Sequence, residues 1–170
     1  FFVNAFDNMK MVYYEMQIRL LIAIFYTWKY SNQNPYSIPI DKIINLISQT
    51  IDIAAIYGRE LTTINAFQVK GVLYYIIGDY TKAFDNYSIA YNHLQHYLST
   101  TKDYNRWMYF WIDFARVIKM SHSIDQIDLQ SISSKEVVAK MTVILNMSDK
   151  EYTAFEEDYI PLTAITDKNH

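Results

Sequence analysis

Residues 65–91 constrain the fold of this chain more than any other stretch, because they combine two helical patterns with small residues at fixed spacing. Gly78 lies between the two patterns and predicts a tight turn there. Gly71, Ala83 and Ala90 stand where the two helices would touch. A close helix crossing needs Gly or Ala at the contact and large residues beside it. The stretch therefore predicts a hairpin of two closely packed helices.

The scarcity of turn residues extends this helical prediction to the whole chain. Only three glycines and three prolines occur in 170 residues, whereas an all-β domain of this length needs many turns. We predict one all-α domain over residues 1–160, in which six to seven helices form antiparallel pairs stacked as a bundle or a short superhelix. Residues 161–170 are polar and are expected to form a frayed tail. Because the chain starts at Phe1, we expect it to be part of a longer protein.

Apolar residues at i, i+3 and i+4 indicate where the helices lie. The first pattern covers residues 2–30, as one long helix or two in succession, and is apolar on more than one face, so we expect neighbours on both sides. The other predicted helices cover residues 40–57, 63–77, 81–98, 102–120, 134–146 and 149–159. Residues 31–39 are predicted to be a loop and 99–101 a polar break. Residues 121–133 fit an irregular loop, a short helix or an extended segment.

Capping signals predict several helix ends. Gly58 and Gly78 occupy positions where a left-handed residue ends the second and third helices, and Pro161 ends the seventh. The predicted N-terminal caps are Thr62 or Thr63 for the third helix, a capping box of Ser133 and Glu136 for the sixth, and a second box of Ser148 and Glu151 for the seventh.

The spacing within residues 65–91 resembles one tetratricopeptide repeat. The residues that carry the resemblance are Gly71, Tyr74, Gly78, Tyr80, Ala83, Tyr87 and Ala90. Phe67 and Lys70 depart from it, since the family usually has Trp and Leu at these positions. One repeat fits well, at residues 64–97. A single repeat cannot bury its own face, so the resemblance implies degenerate repeats on either side.

The resemblance also implies a binding surface. Tetratricopeptide arrays usually bind a peptide or a partner protein on a concave face lined by the first helix of each repeat. The corresponding residues here are Asn65, Gln68, Val72 and Tyr75, which form one helical stripe. Their amides can bind the backbone of an extended ligand, and tyrosine adds apolar area. The stripe lacks Lys and Arg, so it does not resemble a carboxylate clamp, and the alternative is a solvated helix face.

A second stripe is aromatic. Tyr104, Trp107, Trp111 and Phe114 share one face of the predicted fifth helix, flanked by Arg106 and Arg116. This stripe fits a surface that accepts an apolar ligand or a partner helix. The alternative, which aromatic stripes at helical spacing favour, is that the four side chains belong to the core.

Several functions lack their sequence signals. The chain has no cysteine, which excludes disulfides, thiolate chemistry and Cys-based zinc sites. A net charge of −3 without a basic run argues against nucleic-acid binding. The longest apolar run, residues 20–28, is too short to span a bilayer, which needs about 20 residues. His93 and His96 share a helix face, but the sequence arranges no further ligand around them, so we expect no metal and no cofactor. No catalytic motif is present, so we expect a protein that is not an enzyme.

Our first functional hypothesis is a cytoplasmic, non-enzymatic module that binds a peptide or protein. Degenerate repeats with an Asn-lined groove resemble the sensor domains of peptide-pheromone receptors in Gram-positive bacteria, which are transcription regulators. The second hypothesis is a helical subunit of a larger homo- or hetero-oligomeric assembly. The third is a helical enzyme or small-molecule binder with its pocket against Trp107 and Trp111.

Overall fold

The computed structural model describes the backbone of residues 2–32 and 39–158, and the side chains of residues 9–27 and 39–158. These residues form seven α-helices and no β-strand, so the predicted all-α fold is confirmed. The helices are α1 (Phe2–Asn32), α2 (Ile40–Ile56), α3 (Glu60–Ile76), α4 (Tyr80–Thr101), α5 (Met108–Ser121), α6 (Lys135–Asn146) and α7 (Asp149–Asp158). Most of the predicted first loop, Pro161 and the predicted tail lie outside the described residues.

Two glycine turns of the same geometry reverse the chain between α2, α3 and α4. Gly58 has a φ of 60° and Gly78 a φ of 80°, in the left-handed region that disfavours a side chain. The Gly58 N–H donates to the carbonyl of Ala55 at 3.3 Å, and the Gly78 N–H donates to that of Tyr75 at 3.1 Å. In both turns the next N–H reaches five residues back, at 2.8 and 2.9 Å. These are Schellman turns, and both predicted glycine ends are confirmed.

The α3–α4 pair is antiparallel, and its helices approach closely at Gly71. Far from the turn, the Glu60 carboxylate lies 2.7 Å from Nδ1 of His96. Nearer the turn, a Cβ built on Gly71 would lie only 2.4 Å from the ring of Tyr87. Real Cβ atoms almost never come so close to another heavy atom. Gly71 is therefore needed for the close approach that the sequence predicts at this position.

Helix α3 lies between two apolar clusters. The smaller cluster joins α1, α2 and α3, and its buried residues are Leu20, Ala23, Ile43, Ile47, Ala66, Val69 and Leu73. The larger cluster joins α3 to α7, and Tyr87, Phe110, Trp111 and Phe114 are its largest fully buried side chains. Because α3 packs on both sides, its position and rotation are fixed by the core.

Two predicted boundaries around α3 and α4 are wrong for local reasons. Thr62 and Thr63 lie inside α3, where the Thr63 hydroxyl donates back to the carbonyl of Arg59 at 3.1 Å. Arg59 is the N-cap residue. Helix α4 continues through residues 99–101, because their hydroxyls bond carbonyls of the preceding turn. Lys102, with a φ of 58°, then ends the helix.

One of the two predicted capping boxes is displaced. Ser134, rather than Ser133, is the N-cap of α6, and its hydroxyl oxygen accepts from the Val137 N–H at 3.4 Å. The second box is confirmed. The Ser148 N–H donates to the Glu151 carboxylate at 2.8 Å, and the Glu151 N–H donates to the Ser148 hydroxyl at 3.3 Å.

The chain from α4 to α6 departs from a simple series of hairpins. A 3₁₀ turn, Asn105–Trp107, precedes α5, which therefore begins later than predicted. Two further 3₁₀ turns, Ile124–Gln126 and Leu129–Ser131, make the segment before α6 an irregular connection. The hydroxyls of Tyr91 and Ser131 lie 3.2 Å apart, so this connection packs back against α4.

Helix α6 consequently runs in a different sense from the earlier helices. The Lys119 ammonium near the end of α5 donates to the carbonyl of Met147 at 2.6 Å, just after α6 ends. The C-terminal ends of α5 and α6 therefore lie side by side. An antiparallel hairpin would instead bring the end of α5 to the start of α6.

Candidate functional site

A groove with a volume of about 320 Å³ lies between α1, α3 and the start of α5. Its lining residues are Leu20, Ile24, Leu61, Asn65, Gln68, Val69, Val72, Arg106, Trp107, Tyr109 and Phe110. Three of the four residues of the predicted binding stripe, Asn65, Gln68 and Val72, are among them. Most of the predicted stripe therefore lies in the wall of the groove.

The groove has an apolar floor and a polar rim. Leu20, Val69 and Phe110 are buried at its base, where they belong to the two apolar clusters. Arg106 and Tyr109 are exposed at the rim. This arrangement, apolar surface with few polar groups, is typical of ligand sites in proteins.

The Asn65 and Gln68 amides supply the polar groups of the wall formed by α3. Both side chains are half-buried, and neither makes a hydrogen bond with any other described residue. They lie three positions apart, so both project from one face of α3. Each amide offers two donor hydrogens and an acceptor oxygen. The pair can therefore bind N–H and carbonyl groups of an extended backbone in the groove.

Arg106 adds a positive charge that the predicted stripe did not contain. It belongs to the 3₁₀ turn before α5, and that turn follows the left-handed residue Lys102. No carboxylate among the described residues pairs with it. The sequence showed Arg106 only as a flank of the aromatic stripe, since the turn that brings it to the groove has no strong sequence signal.

Tyr75 lies outside the groove. Its hydroxyl is 2.7 Å from that of Tyr152 in α7, and the Arg116 guanidinium lies 5.2 Å from the centre of its ring. Burial raises the pKa of Tyr75 well above its usual value, so the hydroxyl stays protonated. Tyr75 therefore joins α3 to α7 and does not line the groove with the other three residues of the predicted stripe.

Arg116 sits at the centre of a buried charged cluster beside Tyr75. Its guanidinium donates to Asp113 at 2.7 Å and to both carboxylate oxygens of Glu156, at 2.6 and 2.8 Å. Burial raises the pKa of Asp113 to about 7, although Arg116 opposes the shift. For Glu156, burial is outweighed by the hydrogen bonds and charge of Arg116, which hold its pKa below the usual range. The cluster fastens α7 to α5.

The aromatic stripe belongs mainly to the core. Trp111 and Phe114 are fully buried and Trp107 nearly so, while Tyr104 is half-buried. The ring of Phe114 stacks on that of Tyr87, with 5.9 Å between centres. The interpretation of the stripe as an accessible surface is therefore wrong for its three buried members, although Trp107 borders the groove floor.

His93 and His96, which share a face of α4, make contacts within the α3–α4 pair. His96 pairs with Glu60, and the ring of His93 stacks on Phe67 with 6.3 Å between centres. Over residues 9–27 and 39–158, whose side chains the structure describes, no three metal-binding side chains come together. Within the same residues, no helix has the length and apolar character that a bilayer span requires.

Comparisons with protein-family models, with curated proteins and with solved structures gave no match for this chain.

Proposed function

We propose that this chain is a non-enzymatic module that binds an extended peptide segment in the groove between α1, α3 and α5. The observation that carries the proposal is a pair of half-buried amides, Asn65 and Gln68, above an apolar floor. Neither amide has a hydrogen-bond partner among the described residues. A half-buried amide without a partner in the protein keeps its donor and acceptor groups open to a ligand that replaces water.

The lining favours a peptide over other ligands. Amide side chains bind backbone N–H and carbonyl groups whatever the sequence, and the floor of Leu20, Val69 and Phe110 accepts an apolar side chain. Exposed Arg106 at the rim favours an acidic side chain or a terminal carboxylate in the ligand. The groove's size suits a few residues, so the proposed ligand is a short segment with an apolar anchor and an acidic group.

The tetratricopeptide resemblance supports this proposal. The two Schellman turns at Gly58 and Gly78 repeat one connection geometry, and Gly71 gives α3 and α4 the close crossing expected of such a repeat. On this basis we propose that α3 is the first helix of a tetratricopeptide-like repeat. A sensor role, in which the peptide is a signal read by an attached regulatory domain, is the specific version that we favour.

Selection from a displayed library of random peptides tests the function even though the ligand is unidentified. The bait is the full chain, and Gln68→Trp, which fills the groove, serves for counter-selection. Ala139→Trp is the matched control, because Ala139 is exposed on α6 and does not line the groove. We expect peptides with an apolar and an acidic residue that bind the wild type and Ala139→Trp but not Gln68→Trp. Equal recovery on all three baits would refute the groove as the site.

A second candidate function is that of a subunit in a larger assembly. The observation in its favour is the outer face of α1, where large apolar side chains such as Met11 and Leu21 are exposed. Light scattering of the full chain tests the homo-oligomeric form of this candidate, because such a subunit should associate into species larger than a dimer. The two candidates use different surfaces and are compatible with each other.

A further inference from the structure

Helix α1 carries two apolar stripes on different faces. The inner stripe, Met16, Leu20, Ala23 and Thr27, is buried. The outer stripe, which we call the outer α1 seam, consists of Met11, Tyr14, Ile18, Leu21 and Phe25. Its side chains are between 53% and 71% exposed. The expectation that α1 has neighbours on both sides is met on one side only among the described residues.

The outer α1 seam has the spacing of a coiled-coil contact. Its residues follow one another at steps of three, four, three and four, which is the a/d pattern of a heptad repeat. Met11 to Phe25 spans about 21 Å along the helix axis, given a rise of about 1.5 Å per residue. A continuous ridge of this kind on a folded domain marks a site of association.

Two charges beside the seam indicate what covers it. Lys10 occupies a g position and Glu15 the following e position, five residues later. In a parallel pair of identical helices, each g residue faces the e residue five positions further along the partner helix. Lys10 would therefore meet Glu15 of the second copy, and the two-fold symmetry would form this pair twice.

The two charged groups are available for such a pairing. Lys10 is exposed and makes no ion pair with another described residue. Glu15 binds Arg19 of its own helix through Oε1, at 2.7 and 3.1 Å, while Oε2 makes no such bond. In an antiparallel pair, g positions face g positions and e positions face e positions, so Lys10 and Glu15 would not meet.

We propose that the outer α1 seam binds a second copy of this chain, forming a parallel two-fold dimer through α1. The dimer leaves the groove open, because Leu20 and Ile24 reach the groove from other faces of α1. Each dimer presents two grooves, so a ligand with two binding segments gains affinity through avidity. The proposal stands or falls independently of peptide binding.

Sedimentation equilibrium of the full chain over a wide concentration range tests the dimer. We expect a monomer–dimer equilibrium for the wild type. Ile18→Glu should raise the dissociation constant about a hundredfold or more, because each dimer would bury two unpaired carboxylates. The control is Val143→Glu, since Val143 of α6 is 61% exposed, as Ile18 is 56% exposed. At a low concentration, where the wild type is monomeric, unchanged circular dichroism and thermal unfolding of Ile18→Glu will show that the fold is intact.

A charge exchange tests the parallel arrangement. Lys10→Glu and Glu15→Lys each place like charges opposite each other and should raise the dissociation constant by about threefold to tenfold. The double variant restores opposite charges and should return the constant towards the wild-type value. A wild type that stays monomeric at all concentrations, or a dimer that Ile18→Glu leaves unchanged, would overturn the proposal. Single charge variants without rescue in the double variant would overturn the parallel arrangement.

Discussion

Replacing Gly71 with alanine tests whether the close α3–α4 crossing determines the position of the groove wall. Taken alone, the change should favour the helix, because alanine is better than glycine in a helix interior by about 1 kcal/mol. The tertiary contact opposes this gain. The new Cβ would lie 2.4 Å from Cδ2 and 2.8 Å from Cε2 of Tyr87, and 3.3 Å from the carbonyl oxygen of Ala83.

The Tyr87 ring has little room to move away. It is fully buried, and its centre lies 5.5 Å from that of Phe110 and 5.9 Å from that of Phe114. Overpacking of a core costs about 1–3 kcal/mol, and the rigid surroundings place this site at the upper end. We therefore expect Gly71→Ala to lower the free energy of unfolding by about 2 kcal/mol net, which is roughly 4–8 °C in Tm for a domain of this size.

Urea unfolding followed by circular dichroism measures this change, and Tyr87→Leu supplies the matched background. Leucine lacks the ring atoms that meet the new Cβ, so in that background Gly71→Ala should be neutral or stabilising by up to about 1 kcal/mol. A Gly71→Ala variant that is more stable than the wild type by the full helix-propensity gain would show that α3 and α4 do not cross closely at Gly71.

Two further predictions concern the turn and the buried charges. Gly78→Ala should lower the free energy of unfolding by about 1–2 kcal/mol, because residue 78 has a left-handed backbone. The loss should be the same in the Tyr87→Leu background, because no atom crowds the Cβ position of residue 78. For Asp113, the folded-state pKa of about 7 exceeds its unfolded value of about 4, so the folded state binds an extra proton between these values. Unfolding free energy should therefore fall as pH rises from about 4 to 7, by at most about 1.4 kcal/mol per pH unit. Asp113→Asn should remove this slope in chemical unfolding series, and an identical slope in the variant would contradict the assignment.

Local signals in the sequence were enough to predict the helices and their tight turns. The left-handed backbone at residues 58 and 78 favours glycine, and the close helix contact at residue 71 leaves no room for a side chain. Glycine at these three positions was therefore a local signal for two turns and one crossing. Boundaries with competing signals were predicted less well. Ser133 and Ser134 are both able to cap α6 by residue type, and Ser134 is the residue that caps it.

Only part of the site was predicted, because helical spacing fixes which residues share a face but not what packs against that face. Asn65, Gln68 and Val72 do line one groove. Tyr75 continues their stripe, yet α7 covers it, and no local pattern reports that packing. Arg106 reaches the groove from a different segment, through the turn after α4. Residue spacing alone does not predict which segments of the chain pack together.

The most direct test of the proposed function is the affinity of a library-selected peptide, measured by isothermal titration calorimetry against the wild type and Asn65→Ala/Gln68→Ala. Each amide should contribute about 0.5–1.5 kcal/mol through its hydrogen bonds to the peptide backbone. The double variant should therefore bind about fivefold or more weakly. Tyr75→Phe, outside the groove, should bind like the wild type. An unchanged affinity in the double variant would contradict peptide binding by these amides.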